Sequence, residues 1–290
     1  MKLTHLTVLS SIVMLGAATG CTVKAADADD NADLGTSESL LIADDSESAE
    51  TDEDLEKGLD EPLSGASETD PGTPAEGASD AELMEKVRTN PGRFFKPAGC
   101  ITTTVAANVA THVFDGCTGP GGMVGFNGTI TSTYTRGDGS LTVTHQATGF
   151  KINGAEITGS RVLVYSRSGA AVTRTRTGNW SGTTAKGKAI SHQANFTATW
   201  DPAAKCITRS GSAKTSIGER SLERVLTDYK RCGIGRLGCP ESGKLVLTGT
   251  NGAKTVSATI ELKGGRSYEV TTSGGRTFSR NNWLCVPSAS

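Results

Sequence analysis

Beyond Cys100, apolar and polar positions alternate with a period of two. In 189–200, Ile190, His192, Ala194, Phe196, Ala198 and Trp200 share one face, and Ser191, Gln193, Asn195, Thr197 and Thr199 share the other. That is the pattern of a strand with one face buried. Residues 129–135 and 141–147 alternate in the same way around Gly137-Asp138-Gly139. Asn153-Gly154 and Asn251-Gly252 join further strand-like runs, and Gly264-Gly265 joins 256–262 to 266–272. Such pairs supply the positive φ of tight hairpins. The pattern predicts an all-β fold of ten to twelve antiparallel strands in meander order. So many twisted strands must curl into a barrel or split into a sandwich. No long helical segments alternate with the strands, which argues against Rossmann-like and TIM-barrel folds. Ser221–Leu226 fits a strand or a helical turn by pattern alone.

The period is lost before Cys100. Between Thr22 and Glu85 there are twenty-one Asp and Glu against Lys24 and Lys57, a net −19, while Lys86 to Ser290 carries twenty-six Lys and Arg against ten acids, a net +16. With Lys2, the chain sums to −2. All fourteen aromatics lie at or beyond Phe94. A like-charged segment without aromatics cannot bury enough apolar surface to offset its conformational entropy. Residues 21–85 therefore read as a disordered acidic tether, 86–99 as a short helix and connection, and 100–290 as one β-domain. Ser79 with Glu82 forms a capping box at the end of the tether, and Asn90-Pro91-Gly92 stops the helix it starts.

The first twenty residues have a basic start at Lys2, an apolar core from Leu6 to Ala18, and Ala17-Ala18-Thr19-Gly20 directly before Cys21. That order is a bacterial export signal. The segment resembles the lipobox of bacterial lipoproteins. The resemblance implies removal of 1–20, acylation of Cys21 (palmitate included) and membrane anchoring through the lipid, since more than one chain anchors stably. An ordinary secretory cut after Ala25 is the competing reading. Thr22 after the cysteine implies, by the same resemblance, the outer membrane. Asp115–Pro120 and Cys239–Lys244 resemble short segments of secreted Gram-negative lipoproteins, a resemblance that brings no catalytic residue.

Setting Cys21 aside leaves six cysteines: Cys100, Cys117, Cys206, Cys232, Cys239 and Cys285. In an exported protein an even set reads as disulfides, and no pair has zinc-ribbon spacing. Cys100–Cys117 would close a local loop. A two-residue hairpin loop at Gly218-Glu219 would set Arg231 opposite Cys206, whereas a three-residue loop through Arg220 would set Cys232 there. The second register permits Cys206–Cys232 and leaves Cys239–Cys285 by elimination.

Candidate chemistry is sparse. His145 and His192 fall on the apolar faces of their strands, and His112 has no partner motif. A hydrolase would need His145 or His192 with Asp201 or Asp228, which no motif selects. Hydrogen-bonded interior histidines are the simpler reading. No nucleophile elbow, metal-ligand cluster or cofactor cradle is present. From Ile157 to Trp200, however, Arg161, Arg167, Arg174, Arg176, Lys186 and Lys188 occur without one acid. Guanidinium forks match phosphate or carboxylate. The expectation is a non-enzymatic binding module facing an anionic polysaccharide, lipid headgroup or other acidic partner, and not a nucleic acid. A solvated sheet face, charge balance against the tether, a hydrolase of extracellular polymer and a structural envelope role are the alternatives.

Overall fold

The computed structural model describes residues 59, 79–89, 91–119, 122, 124–232 and 239–281. The signal segment, Cys21, most of the tether and Cys285 lie outside these residues.

The fold is an all-β antiparallel meander of thirteen strands in a single sheet, ordered as in the chain. The strands are β1 (Ile101–Ala106), β2 (Val109–Thr118), β3 (Gly125–Gly137), β4 (Ser140–Ile152), β5 (Ala155–Ser168), β6 (Ala171–Thr183) and β7 (Ala189–Asp201). They continue as β8 (Cys206–Ile217), β9 (Arg220–Cys232), β10 (Pro240–Asn251), β11 (Lys254–Leu262), β12 (Ser267–Thr272) and β13 (Thr277–Asn281). Thirteen exceeds the ten to twelve expected, because the hairpins continue through the Gly-rich end of the chain. Among the described residues β1 and β13 each have one neighbour, so the sheet is not closed into a barrel. Ser221–Leu226 lies within β9.

Two predicted hairpins sit where their positive-φ residues place them. Asn153-Gly154 links Ile152 to Ala155, and Asp138-Gly139 links Gly137 to Ser140. The turn after β10 is displaced by one residue: Asn251 pairs with Lys254, so Gly252-Ala253 forms the loop.

One face of the sheet is apolar and buried, and the other carries mostly Thr, Ser, Asn and Gln. Among the described residues, the short helices at 80–89 and 91–94 cover part of the apolar face. Helix α1 (Asp80–Thr89) buries Leu83, Met84 and Val87 against Ala110, Tyr134, Leu141, Val143, Leu163 and Tyr165. Its N-terminus is the expected capping box: the Ser79 N–H donates to Glu82 Oε2 at 2.7 Å and the Glu82 N–H donates to Ser79 Oγ at 3.3 Å. The backbone N–H of Ser79, then its hydroxyl, hold the Glu82 carboxyl below its ordinary pKa. The boundary at 85/86 drawn from charge falls inside this helix. Ordered chain begins earlier, because three apolar side chains at helical spacing anchor an otherwise acidic stretch.

Helix α2 (Pro91–Phe94) delivers Phe95, fully buried, into a cluster of edge-to-face rings. Phe95 lies 5.0 Å from Phe114 and 5.6 Å from Phe126, and Phe114 lies 5.2 Å from Phe150. Rings in this geometry add to their area burial through their quadrupoles. The Cys100–Cys117 disulfide, Cα–Cα 5.2 Å, closes the rim of the same cluster. Strands β7–β13 make a second core around Phe196, Leu226, Tyr229, Leu245, Leu247 and Ile260.

The Cys206–Cys232 disulfide is present, Cα–Cα 4.0 Å, but a bulge and not a three-residue loop brings the two cysteines opposite each other. The β8–β9 loop has two residues, since Ile217 pairs with Arg220. A bulge between Arg209 and Gly211 shifts the register by one and brings Cys232 opposite Cys206. Asp228 takes up the extra residue at φ 48°, a left-handed conformation that Asp tolerates better than most side chains. Cys239 is also disulfide-bonded.

Candidate functional site

Where β4 to β9 run side by side, their inward positions line up in rows across the strands. One row reads Gly159, Trp180, His192, Thr215 and Leu222. The next reads His145, Arg161, Gly178, Ala194, Ala213 and Arg224. The third is Leu163, Arg176, Phe196, Gly211 and Leu226, and the fourth is Tyr165, Arg174, Ala198, Arg209 and Tyr229. Rows on one face repeat every two residues, about 6.6 Å. Five arginines from four strands thus gather on the buried side, and none of these rows holds an Asp or Glu.

The arginines are not strewn over solvent. Arg176 is only 8% exposed. Its guanidinium lies 5.1 Å from the centre of the Phe196 ring, and that of Arg224 lies 5.3 Å from the same ring. One aromatic face system therefore steadies two cations, an interaction strengthened by exclusion of water. Trp180 stacks on His192 with centroids 5.1 Å apart and planes 18° from parallel.

All three domain histidines are buried, and each meets a hydroxyl on the adjoining strand through Nδ1. The distances are 3.0 Å from His112 to Thr103, 2.7 Å from His145 to Ser132 and 2.9 Å from His192 to Thr215. Asp201 does not reach His192. The two lie nine positions apart on β7, about 30 Å at strand rise, and the Asp201 carboxylate accepts the N–H groups of Ala203 and Ala204. Asp228 sits exposed at the β9 bulge, six positions along that strand from Leu222, which shares the row of His192.

A pocket opens among these rows. It is lined by Ile130, His145, Phe150, Ile157, Gly159, Arg161, Arg176, Gly178, Trp180 and His192. Leu59, from the acidic stretch, also lines it and is 1% exposed. The remaining volume is ≈ 60 Å³, room for roughly four waters at 10–15 Å³ each. The chemistry is that of a clamp: planar cations and a stacked aromatic pair around an apolar floor. It suits a negatively charged group carried beside an apolar one.

Of the six basic residues singled out along the chain, Arg161, Arg174 and Arg176 share this face. Arg167 lies on the same side at the exposed end of β5, opposite Val172. Lys186 and Lys188 lie in the exposed β6–β7 connection and belong to a different surface. Arg209 and Arg224 were missed because they lie outside the acid-free stretch. The continued alternation Arg209, Gly211, Ala213, Thr215 would have placed the first of them. No protein-family model, curated protein or solved structure matches this chain.

Proposed function

We propose that this protein is an envelope-anchored lipoprotein whose β-domain is a non-enzymatic binding module for an acidic partner. The observation that carries the reading is the set of five arginines gathered on one inner face without an acid among them. Guanidinium groups held in place by Phe196 need little further ordering when they meet an anion, so less entropy is lost per contact. The Trp180–His192 stack adds a flat apolar surface of the kind that sugar rings and peptide side chains lie against. An anionic polysaccharide, a lipid headgroup or an acidic polypeptide offers the matching charge. Anchoring at Cys21 and a long acidic tether would place the module at the bacterial outer membrane with freedom to reach such a partner.

The test is binding of the chain from Cys21 onward to lipopolysaccharide, peptidoglycan and acidic polysaccharides at about 50 and 300 mM salt. Expected is binding that weakens with salt, as contacts between charges do, and that drops on Arg161→Gln with Arg176→Gln. No salt-sensitive binding to any of them refutes the reading. For the anchor, Cys21→Ser should abolish palmitate labelling of the cell-expressed protein, and persistent labelling would remove Cys21 from the scheme.

A further inference from the structure

Leu59 is out of place by composition. It belongs to the acidic stretch, within a sequence that reads Asp52, Glu53, Asp54, Glu56, Lys57, Asp60 and Glu61 around it. Yet it is 1% exposed, packed into the cluster of Phe95, Phe126, Ile130, Phe150 and Ile157, with Trp180 against that cluster. The same leucine lines the pocket shared by Arg161, Arg176, His145 and His192.

We infer that the arginine pocket is an acidic-peptide site whose resident occupant is the protein's own 52–61 stretch, with Leu59 as the apolar anchor. Three observations support this. The anchor is seated, not merely nearby. The residues adjoining it in sequence carry the charge that the inner face lacks, since six of the ten positions from 52 to 61 are Asp or Glu. And the volume left beside Leu59 suits a few waters, too little for a second ligand of comparable size. Burial of a leucine favours the seated state by a factor of roughly ten to a hundred, and the surrounding charge adds to that at low salt. The tether is then an internal ligand. Any external acidic partner of this pocket must displace it, so apparent affinity is reduced by the fraction of molecules already occupied. The inference goes beyond the proposed external partner and stands without it.

Lys57 provides the assay, because it is the only Lys or Arg between Lys24 and Lys86. Trypsin cleavage after Lys57 is followed by mass spectrometry in the full chain from Cys21 onward. The rates are compared with those of free peptides spanning 50–66, which remove any sequence preference of the protease. Expected is cleavage at least tenfold slower in the wild-type chain than in its peptide, with Leu59→Ser restoring most of the peptide rate. Arg161→Glu with Arg176→Glu should do the same, its fold checked by far-ultraviolet circular dichroism. If those reversals unfold the sheet, the Leu59→Ser arm still decides. Equal cleavage of wild type and Leu59→Ser overturns the inference. In parallel, poly-L-glutamate binding is measured on both chains. Tighter binding by Leu59→Ser, about tenfold, supports displacement of an internal ligand. Protection of Lys57 with no poly-L-glutamate binding by either chain leaves the internal ligand standing and counts against the external one. Cleavage without protection, together with salt-sensitive binding by both, does the reverse.

Discussion

Gly159 is the position where one added methyl group should do the most damage to the pocket. It lies on β5 opposite Trp180 on β6. A Cβ built there would sit 2.6 Å from Trp180 Cβ, and closer still to Asn179 O and Trp180 Cα. Asn179 O and Trp180 Cα are backbone atoms, which cannot swing aside as a side-chain tip can, so β5 and β6 must separate locally or shift in register. Overpacking of this sort typically costs about 1–3 kcal/mol. For an ordered region of this size that corresponds to a drop in Tm of roughly 2–4 °C per kcal/mol. Gly178 is the control. It lies one row away in the same pocket, but a Cβ there would meet Arg161 Cγ at 3.5 Å and Ser160 O at 3.6 Å, ordinary contact distances. Gly159→Ala should therefore lower the urea midpoint, and Gly178→Ala should leave it nearly unchanged. Trp180 fluorescence should shift only in the first. Equal stability of both variants with wild type, within about 0.5 kcal/mol, would refute the claim that β5 and β6 are held this closely at the pocket.

Replacing Cys206 and Cys232 together by Ala should cost about 2–4 kcal/mol, read as a difference in urea midpoint from the oxidised parent; a change under about 0.5 kcal/mol would show the bridge to be idle. Arg176→Ala should destabilise the domain by about 1–2 kcal/mol through loss of its contact with Phe196. Arg136→Ala, which breaks an exposed pair with Asp80, should cost at most about 1 kcal/mol, and the reverse ranking would contradict the burial argument. Ser79→Ala should loosen α1 by about 1 kcal/mol, seen as faster amide exchange confined to 80–89. Because the folded Glu82 pKa lies below its ordinary value of 4.5, its stabilising contribution is complete above that pH and is lost as pH falls through the lowered value. Protection of the α1 amides, measured against their intrinsic exchange rates at each pH, should accordingly fall below about pH 4.5, and protection that stays flat down to about pH 2 would dismiss the capping box.

The sheet was legible wherever a local rule fixed it. Alternation in 189–200 gives β7, the Asn153-Gly154 pair gives a hairpin, and Ser79 with Glu82 gives the start of α1. The Cys206–Cys232 register was not legible for the stated reason. A bulge adds one residue anywhere along a hairpin, and Asp228 leaves no pattern that separates it from other exposed strand residues. The arginine cluster was half legible. Reading along the chain finds Arg161, Arg174 and Arg176, but a sheet collects side chains across strands, so Arg209 and Arg224 join from separate segments. Lys186 and Lys188 fell out for the same reason, since neighbours in sequence at a turn need not share a face. Leu59 was legible only in part. Leu55, Leu59 and Leu63 recur every fourth residue among the acids, the spacing of one helical face, but only the distant pocket that receives Leu59 gives it meaning.

Because each strand of the meander pairs with the strands next to it in the chain, no pairing in the sheet waits for a distant segment. Loop-closure entropy at each step is that of a short turn, and local pairing of this kind favours fast folding for a β protein. A chain appearing from its N-terminal end can lay down β1 through β13 in order, each new hairpin templated by an edge already formed. The arginine rows are finished only when β9 is laid down, whereas Leu59 emerges well before them. Leu59 is thus synthesised before the strands that pack on it, and the growing edge is covered by its own next strand, not offered to another molecule.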